Sequence, residues 1–438
     1  MRAAAVGIAI AAFAGHAAAD DAARLQALEQ RVEYLEDELA RTRNEQRAAE
    51  RRDETGSWAD RVSLSGSFEV GHFDGQSDSV QHDDGYRVWD ARVFLDAELG
   101  EDIRLASLPL VRNIGLTAEW NLVRLGEVTN DVGELYVDLQ GIGGSSWLNL
   151  RPGRFQIPVG EAYHRYGREA ARDPFISNPL GGPWWWDEGV ELYGGSEAGE
   201  FGYVASISNG ETPFGYDAGS GEQVTLKLWT QPWRWLYVSA SGLGSGNIGN
   251  GTGAVWLGET WAQPVGNDTD VPTFFKGAAQ ADAPGGFDRT WLAGVDVIVT
   301  PLDAVRLWLA YGRYSLDADG GGAWDRTLQY AIAELVLRGS LVSPVLAPGY
   351  VGFRADTLGT FDSDRGFLLD YRYEDTLGFD MDSFTAYTAV VGWELGRHAI
   401  VKAEYSFRNI GLVHGVTDEI RSDAEDADTF SVELGITF

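Results

Sequence analysis

Asp428-Thr429-Phe430-Ser431-Val432-Glu433-Leu434-Gly435-Ile436-Thr437-Phe438 closes the chain, and its alternation decides how the rest is read. Phe430, Val432, Leu434, Ile436 and Phe438 fall on one face, and Thr429, Ser431, Glu433, Gly435 and Thr437 on the other. A two-residue period held over the whole stretch marks a β-strand with one apolar and one polar face. Such a strand suits a sheet lying between lipid and water. A soluble sandwich strand shows the same alternation, but it has no reason to finish on an aromatic side chain.

The same period recurs upstream. Val62, Leu64, Phe68 and Val70 oppose Ser63, Ser65, Ser67 and Glu69. Trp89, Ala91, Val93, Leu95, Ala97 and Leu99 oppose Asp90, Arg92, Asp96 and Glu98. Ile114, Leu116, Ala118, Trp120 and Leu122 oppose Thr117, Glu119 and Asn121. Late in the chain, Tyr387, Ala389, Val391, Trp393 and Leu395 alternate, as do Ala399, Val401, Ala403, Tyr405 and Phe407 against Lys402, Glu404 and Arg408. The pattern predicts strands near 61–73, 86–99, 112–123, 132–140, 147–157, 188–194, 201–209 and 223–231, then near 234–243, 289–300, 303–315, 327–338, 349–357, 384–395, 398–409 and 428–438. That is about sixteen, and single-chain bacterial barrels have an even number.

Connection lengths test the count. In a barrel with both ends on one side, even-numbered connections are short turns and odd-numbered ones long loops. Gln231-Pro232-Trp233, Thr300-Pro301-Leu302 and Gly396-Arg397 are tight even turns. Segments 158–187, 244–288, 358–383 and 410–427 are long odd loops. Phe367 to Tyr373 is strand-like but breaks the parity and is assigned to a loop; 100–111 and 339–348 are long for even turns. Strands of ten to fourteen residues exceed those of most sandwiches and suit a tilted membrane wall. Trp120, Trp147, Trp233, Trp291 and Trp393 lie near strand ends, where interfacial girdles sit. The expected fold is therefore all-β, a transmembrane antiparallel β-barrel over 57–438.

Two segments precede it. Residues 1–19 read as an export signal: Arg2, an apolar run from Ala3 to Ala14, and Ala17-Ala18-Ala19 ahead of cleavage before Asp20. Leu25, Leu28, Val32, Leu35 and Leu39 step by three and four. Residues 20–56 therefore read either as a short periplasmic coiled coil joining subunits, with a linker, or as a single surface helix.

Composition narrows the partners. The net charge of −32 repels phosphate backbones and argues against nucleic acid. The absence of cysteine removes disulfides and thiolate metal sites, and no metal or other cofactor is expected. Only three lysines occur, Lys227, Lys276 and Lys402, so Arg carries nearly all positive charge. Past His16, the histidines His72, His82, His164, His398 and His414 are scattered, none beside a Gly-flanked serine. No hydrolytic triad or other catalytic set is expected.

The inward-facing set includes Glu69, Asp90, Arg92, Asp96, Glu119, Glu134, Asp138, Arg151, Asp296, Arg306, Glu334, Arg338, Arg354, Lys402, Glu404, Arg408 and Glu433. Such charges resist dry burial, and sixteen strands leave a lumen wide enough for water. Segment 158–187, the third outer loop, holds Glu161, His164, Arg165, Arg168, Glu169, Arg172 and Asp173, followed by Asn178 to Pro183 and Trp184-Trp185-Trp186. A short helix from Arg168 to Phe175 would put Arg165, Arg168 and Arg172 on one face. There they either attract anions at a constriction or pair with Glu161, Glu169 and Asp173 to brace the loop.

The terminal Phe438 resembles the closing aromatic of bacterial outer-membrane barrels. Gly153-Arg154-Phe155-Gln156-Ile157-Pro158-Val159-Gly160-Glu161 resembles the G-x-F-x-x-P-x-G-E segment of the porin O/P family, the phosphate-selective-type porins. Asp187 to Gly194 and Ser208-Asn209-Gly210 resemble the strand and strand end that follow there. The resemblance implies a homotrimer of sixteen-stranded barrels in the outer-membrane lipid, passing small hydrophilic solutes and ions; in general porins the third outer loop folds into the barrel and narrows it. It also implies, in some members, phosphate conduction along a basic ladder. Here Arg92, Arg151, Arg154, Lys227, Arg306, Arg338, Arg354, Lys402 and Arg408 could form a basic strip, but acidic inward positions outnumber them. The acidic runs 74–84 and 418–428 read either as plain solvated loops or as a mouth that concentrates cations or binds divalent ions loosely. A structural tether or adhesin with a plugged lumen is the other class consistent with the chain.

Overall fold

The closing stretch pairs on both of its edges. In the computed structural model β17 (Thr429–Thr437) lies between β16 (Ala399–Leu412) and β1 (Val62–Gly75), with Lys402 opposite Glu433 on one side and Val70 opposite Leu434 on the other. Phe438 extends the seam: its N–H donates to the Gly66 carbonyl, and the Gly66 N–H donates to its carbonyl, both at 3.1 Å. The structure describes residues 61–75, 84–123, 131–161, 172–179, 186–209, 222–245, 287–318, 326–360, 367–368, 380–412 and 428–438. The export signal and heptad segment expected over 1–56 lie outside these residues.

From β1 the wall runs through β2 (Asp84–Leu105), β3 (Leu108–Val123), β4 (Asp131–Gln140), β5 (Asn149–Gln156), β6 (Trp186–Gly195), β7 (Phe201–Ser208) and β8 (Gln223–Trp233). It continues through β9 (Leu236–Ser245), β10 (Phe287–Leu302), β11 (Val305–Ala318), β12 (Arg326–Arg338), β13 (Gly349–Thr360), β15 (Asp380–Glu394) and β16 to β17, then closes on β1. A two-residue strand, β14 (Phe367–Leu368), pairs with β15 inside the connection from β13. The barrel thus has sixteen staves, each antiparallel to its neighbours, and Phe367–Leu368, the described part of the strand-like 367–373, adds none of them.

Burial follows the expected parity. Thr117, Glu119, Asn121, Thr388, Lys402, Glu404, Ser431 and Glu433 are buried on the inner face. Leu122, Leu226, Leu309, Phe353, Tyr387, Val391, Val401, Tyr405 and Phe430 are exposed on the outer one. All five tryptophans expected at the girdles are exposed, and Trp233 stacks on Trp235 at 5.3 Å. An apolar surface of this extent is untenable in water. A closed barrel satisfies every ladder hydrogen bond without an edge, which is what a hydrocarbon surrounding demands. The chain is an outer-membrane β-barrel in architecture and location.

Three details depart from the pattern. Trp89 and Ala91, expected outward, are buried, Trp89 against Phe73 and Ile176, and a register shift between Ala91 and Arg92 restores the parity beyond them. Residues 100–111 are not a long connection, because β2 and β3 run on as a hairpin past the rim and turn at Ala106-Ser107. Register shifts beside Gly100 and Arg104 accommodate that extension, and 101–110 are exposed on both faces. The last difference is stave length: β2 has 22 residues, whereas β5 and β7 have 8 each.

Candidate functional site

The connection between β5 and β6 enters the lumen and is fastened to the wall at two places far apart around the ring. The first is at its start. Ile157 and Val159 are buried, and the Gly160 N–H donates to Ser241 Oγ at 3.0 Å. Lys227 Nζ donates to the Gly160 carbonyl at 2.8 Å and lies 2.7 Å from Glu161 Oε1. Tyr237 and Ser239 hydroxyls also donate to that oxygen, at 2.7 and 3.0 Å. The segment 157–161 is thereby held on β8 and β9.

The second fastening holds 172–179 on β13 and β16. Glu404 accepts from the Ile176 N–H at 2.7 Å and from the Ser177 N–H at 3.1 Å. Arg354 donates to the Ser177 carbonyl at 2.8 Å, its hydroxyl at 2.6 Å and the Asn178 carbonyl at 3.2 Å, while pairing with Asp356 at 3.1 Å. Tyr350 donates to the Pro174 carbonyl, and Lys402, paired with Glu433, donates to the Asp173 carbonyl. Backbone that leaves a sheet for the interior must find partners for its N–H and C=O groups, and these side chains supply them.

Apolar contacts complete the seat. Phe175 is buried among Val336, Tyr350, Val390 and Ile400, with the Arg354 guanidinium 4.7 Å from its ring centroid. Two glycines make room. A Cβ at Gly352 would stand 2.9 Å from the Phe175 ring, and one at Gly392 would overlap the Tyr350 ring. Glycine inside a strand often marks such a close approach.

The expected basic strip is present as positions but not as open charge. Arg92 pairs with Asp90 at 2.7 Å, and Glu119 is 3.7 Å away. Arg151 pairs with Glu191 at 2.9 Å and with Asp138 at 3.3 Å, between the rings of Tyr136 and Tyr193. Arg154 pairs with Glu188, Arg306 with Glu334 and Arg338 with Glu394, at 2.6 to 2.8 Å. Among the described residues, eleven carboxylates but only five cations have buried side chains. That part of the inner wall is therefore acidic after pairing.

Water access is uneven. On β13 and β16 the inward charges beside the inserted segment are sealed, Arg354 2% exposed and Lys402 1%, whereas Arg338 and Glu394 at the ends of β12 and β15 stay open to water. On β4 to β6, Arg151 is 29% exposed and Glu188 30%. Asp96 and Glu134, further along that side, are half-buried. The inserted segment covers part of one arc; on the arc from β2 to β6 Arg92, Glu119, Arg154 and Glu191 are also buried, and Arg151 and Glu188 keep partial contact with water.

Of the residues singled out in the loop, the structure brings Glu161 to the wall and places Arg172, half-buried, at the start of the docked segment. Arg165 and Arg168 lie outside the described residues, as does the side chain of Arg408, whose backbone belongs to β16. Of the expected 168–175 helix, Arg172 has 3-10 geometry, 173–175 are irregular chain, and 168–171 lie outside the described residues. Sequence reasoning missed Phe175, Tyr350, Gly352, Gly392 and the acceptor role of Glu404. The apolar pair Phe175-Ile176 within a charged loop was the available signal.

No family model and no curated protein matches the sequence. Solved structures do match the barrel. OmpF of Salmonella typhi, in complex with daunomycin, is 12% identical with a TM-score of 0.54, over 86% of this chain and 97% of that one. The anion-selective porin of Comamonas acidovorans is 11% identical with a TM-score of 0.52, over 86% and 99%. OmpT of Vibrio cholerae, in its trimer form, is 12% identical with a TM-score of 0.51, over 86% and 99%. At such identities the likeness concerns fold alone, and the fold is that of the outer-membrane porins.

Proposed function

We propose that the chain is a porin: a water-filled channel for passive diffusion of small hydrophilic solutes and ions, with a preference for cations. The observation that carries the preference is the charge matching of the inner wall. Each basic side chain of the strip that is described lies within ion-pair distance of a carboxylate. Half-buried Asp96 and Glu134 stand on the arc from β2 to β6. An inner surface with surplus carboxylates holds cations at higher local concentration and slows anions. No chemical step and no cofactor enter this reading.

A second reading has one observation in its favour, the entry of the β5–β6 connection into the lumen. If Arg165, Arg168 and Arg172 face the remaining opening, they would favour anions, as the resemblance to the porin O/P family implies for phosphate. Reversal potential across a planar bilayer in a salt gradient separates the two by sign. A cation-selective potential supports the proposal, an anion-selective one transfers it to the arginines, and silent bilayers leave the structural tether.

The proposal includes a homotrimer. Staves β5 and β7 are short, at 8 residues each. With a rise of about 3.4 Å per residue and a tilt of about 35–45°, such a stave climbs only about 20 Å, less than the apolar band of about 25 Å. A neighbouring copy against this low wall would complete the lipid seal, and the OmpT neighbour is a trimer. The export signal at 1–19 and the heptad segment at 20–56 belong to the same proposal, the latter joining subunits on the periplasmic side.

A further inference from the structure

Between β12 and β13 the chain makes a knob that the channel does not explain. From Gly339 to Phe353 it carries no charged residue. Two short 3-10 turns, Gly339–Leu341 and Pro344–Leu346, lift Val342 and Val345 to 81% and 80% exposure. The knob lies on the short-turn side, which in bacterial barrels faces the periplasm.

Its direction is fixed by two glycines. Tyr350 points into the lumen, where it holds Pro174, so the preceding Gly349 points outward. A Cβ at Gly349 would stand 3.3 Å from the Leu346 carbonyl oxygen and 2.9 Å from the ring of Trp393, an exposed outer-wall residue. A Cβ at Gly339 would stand 2.8 Å from Leu346 Cβ. Leu346 therefore rests over the outer side of the wall, and the knob leans away from the lumen. Val351, Phe353 and Trp393 continue the same apolar surface into the membrane-facing belt.

We infer that this knob is an interfacial membrane anchor: Val342 and Val345 enter the headgroup–acyl boundary of the periplasmic leaflet and take phospholipid as their partner. A short uncharged segment with exposed aliphatic side chains beside a hydrocarbon belt gains burial only by dipping into it. The inference rests on the barrel standing in a bilayer, and it is independent of which solute the lumen passes.

The natural chain has no cysteine, so Val345→Cys takes a nitroxide label at one place only. The labelled full chain is reconstituted in phosphatidylethanolamine–phosphatidylglycerol vesicles, and collision with oxygen is compared with collision with a water-soluble nickel chelate. Phe353→Cys in the belt and Glu197→Cys on a polar turn of the same side are the references. The expected ratio at 345 follows Phe353, several-fold above Glu197. A ratio like that of Glu197 overturns the inference. Shielding from both reagents also overturns it, since a protein surface would then cover the knob. Val342→Cys repeats the measurement if the first variant does not fold.

Discussion

The arc from β12 to β17 and the arc from β2 to β6 use the same residue types for different ends. On the first, Arg354, Asp356, Lys402, Glu404 and Glu433 are sealed beneath the inserted segment and act as fasteners. On the second, Arg92, Glu119, Arg154 and Glu191 are buried in ion pairs within the wall itself, while Arg151 and Glu188 keep partial contact with water and Asp96 and Glu134 are half-buried. Charge in a barrel wall thus says little by itself; what covers it decides whether it holds backbone or meets water.

The largest expected effect falls on the sealed arc. Arg354→Ala removes the guanidinium that pairs with buried Asp356 and that donates to Ser177 and Asn178. A loss of about 3–5 kcal/mol is expected in urea unfolding, the cost of breaking a buried pair from one side. Single-channel conductance should rise as the segment comes loose. A loss under about 1 kcal/mol, the level of an exposed pair, would erase the distinction between the arcs.

Next comes the outer face of the same arc, where Val401 is exposed. Val401→Arg should cost about 2–4 kcal/mol if that side chain meets the bilayer midplane. A neutral result would move the belt away from this height.

Glu404→Gln keeps an acceptor for the Ile176 and Ser177 amides but removes its charge. Charge-assisted bonds are roughly twice as strong as neutral ones, so about 1 kcal/mol should go. Added flicker in the open-channel current should accompany it. A quiet trace at wild-type stability would mean Phe175 alone seats the segment.

The smallest change in stability belongs to the arc from β2 to β6. Asp96→Asn combined with Glu134→Gln should cost under about 1 kcal/mol, since Asn keeps a carbonyl oxygen for the Thr117 hydroxyl. The same pair should move the reversal potential toward anions. An unmoved potential would place the selectivity on the inserted segment instead.

The staves were legible because period-two alternation is local, and membrane and lumen enforce it on every strand. Phe430 to Phe438 and Tyr387 to Trp393 are cases where neither face tolerates a slip. The hairpin beyond Leu99 was not legible, since its bulges change the parity and both faces meet solvent. The third outer loop could be singled out by its length and charge, but its seat could not. Phe175 meets Val336, Tyr350, Val390 and Ile400, residues from four staves far along the chain, and a single sequence does not show which staves will face a loop across a cylinder. Ion pairing was hidden for the same reason: Arg151 with Glu191 and Arg306 with Glu334 join different strands.

The bond pair between Gly66 and Phe438 has a consequence for assembly. It ties the first stave to the last residue, so the circumference is completed only when every intervening register is already correct. Contacts of such sequence separation form slowly. A seam of this kind works as a checkpoint: an error anywhere along the wall leaves the two margins offset, and the ring does not shut.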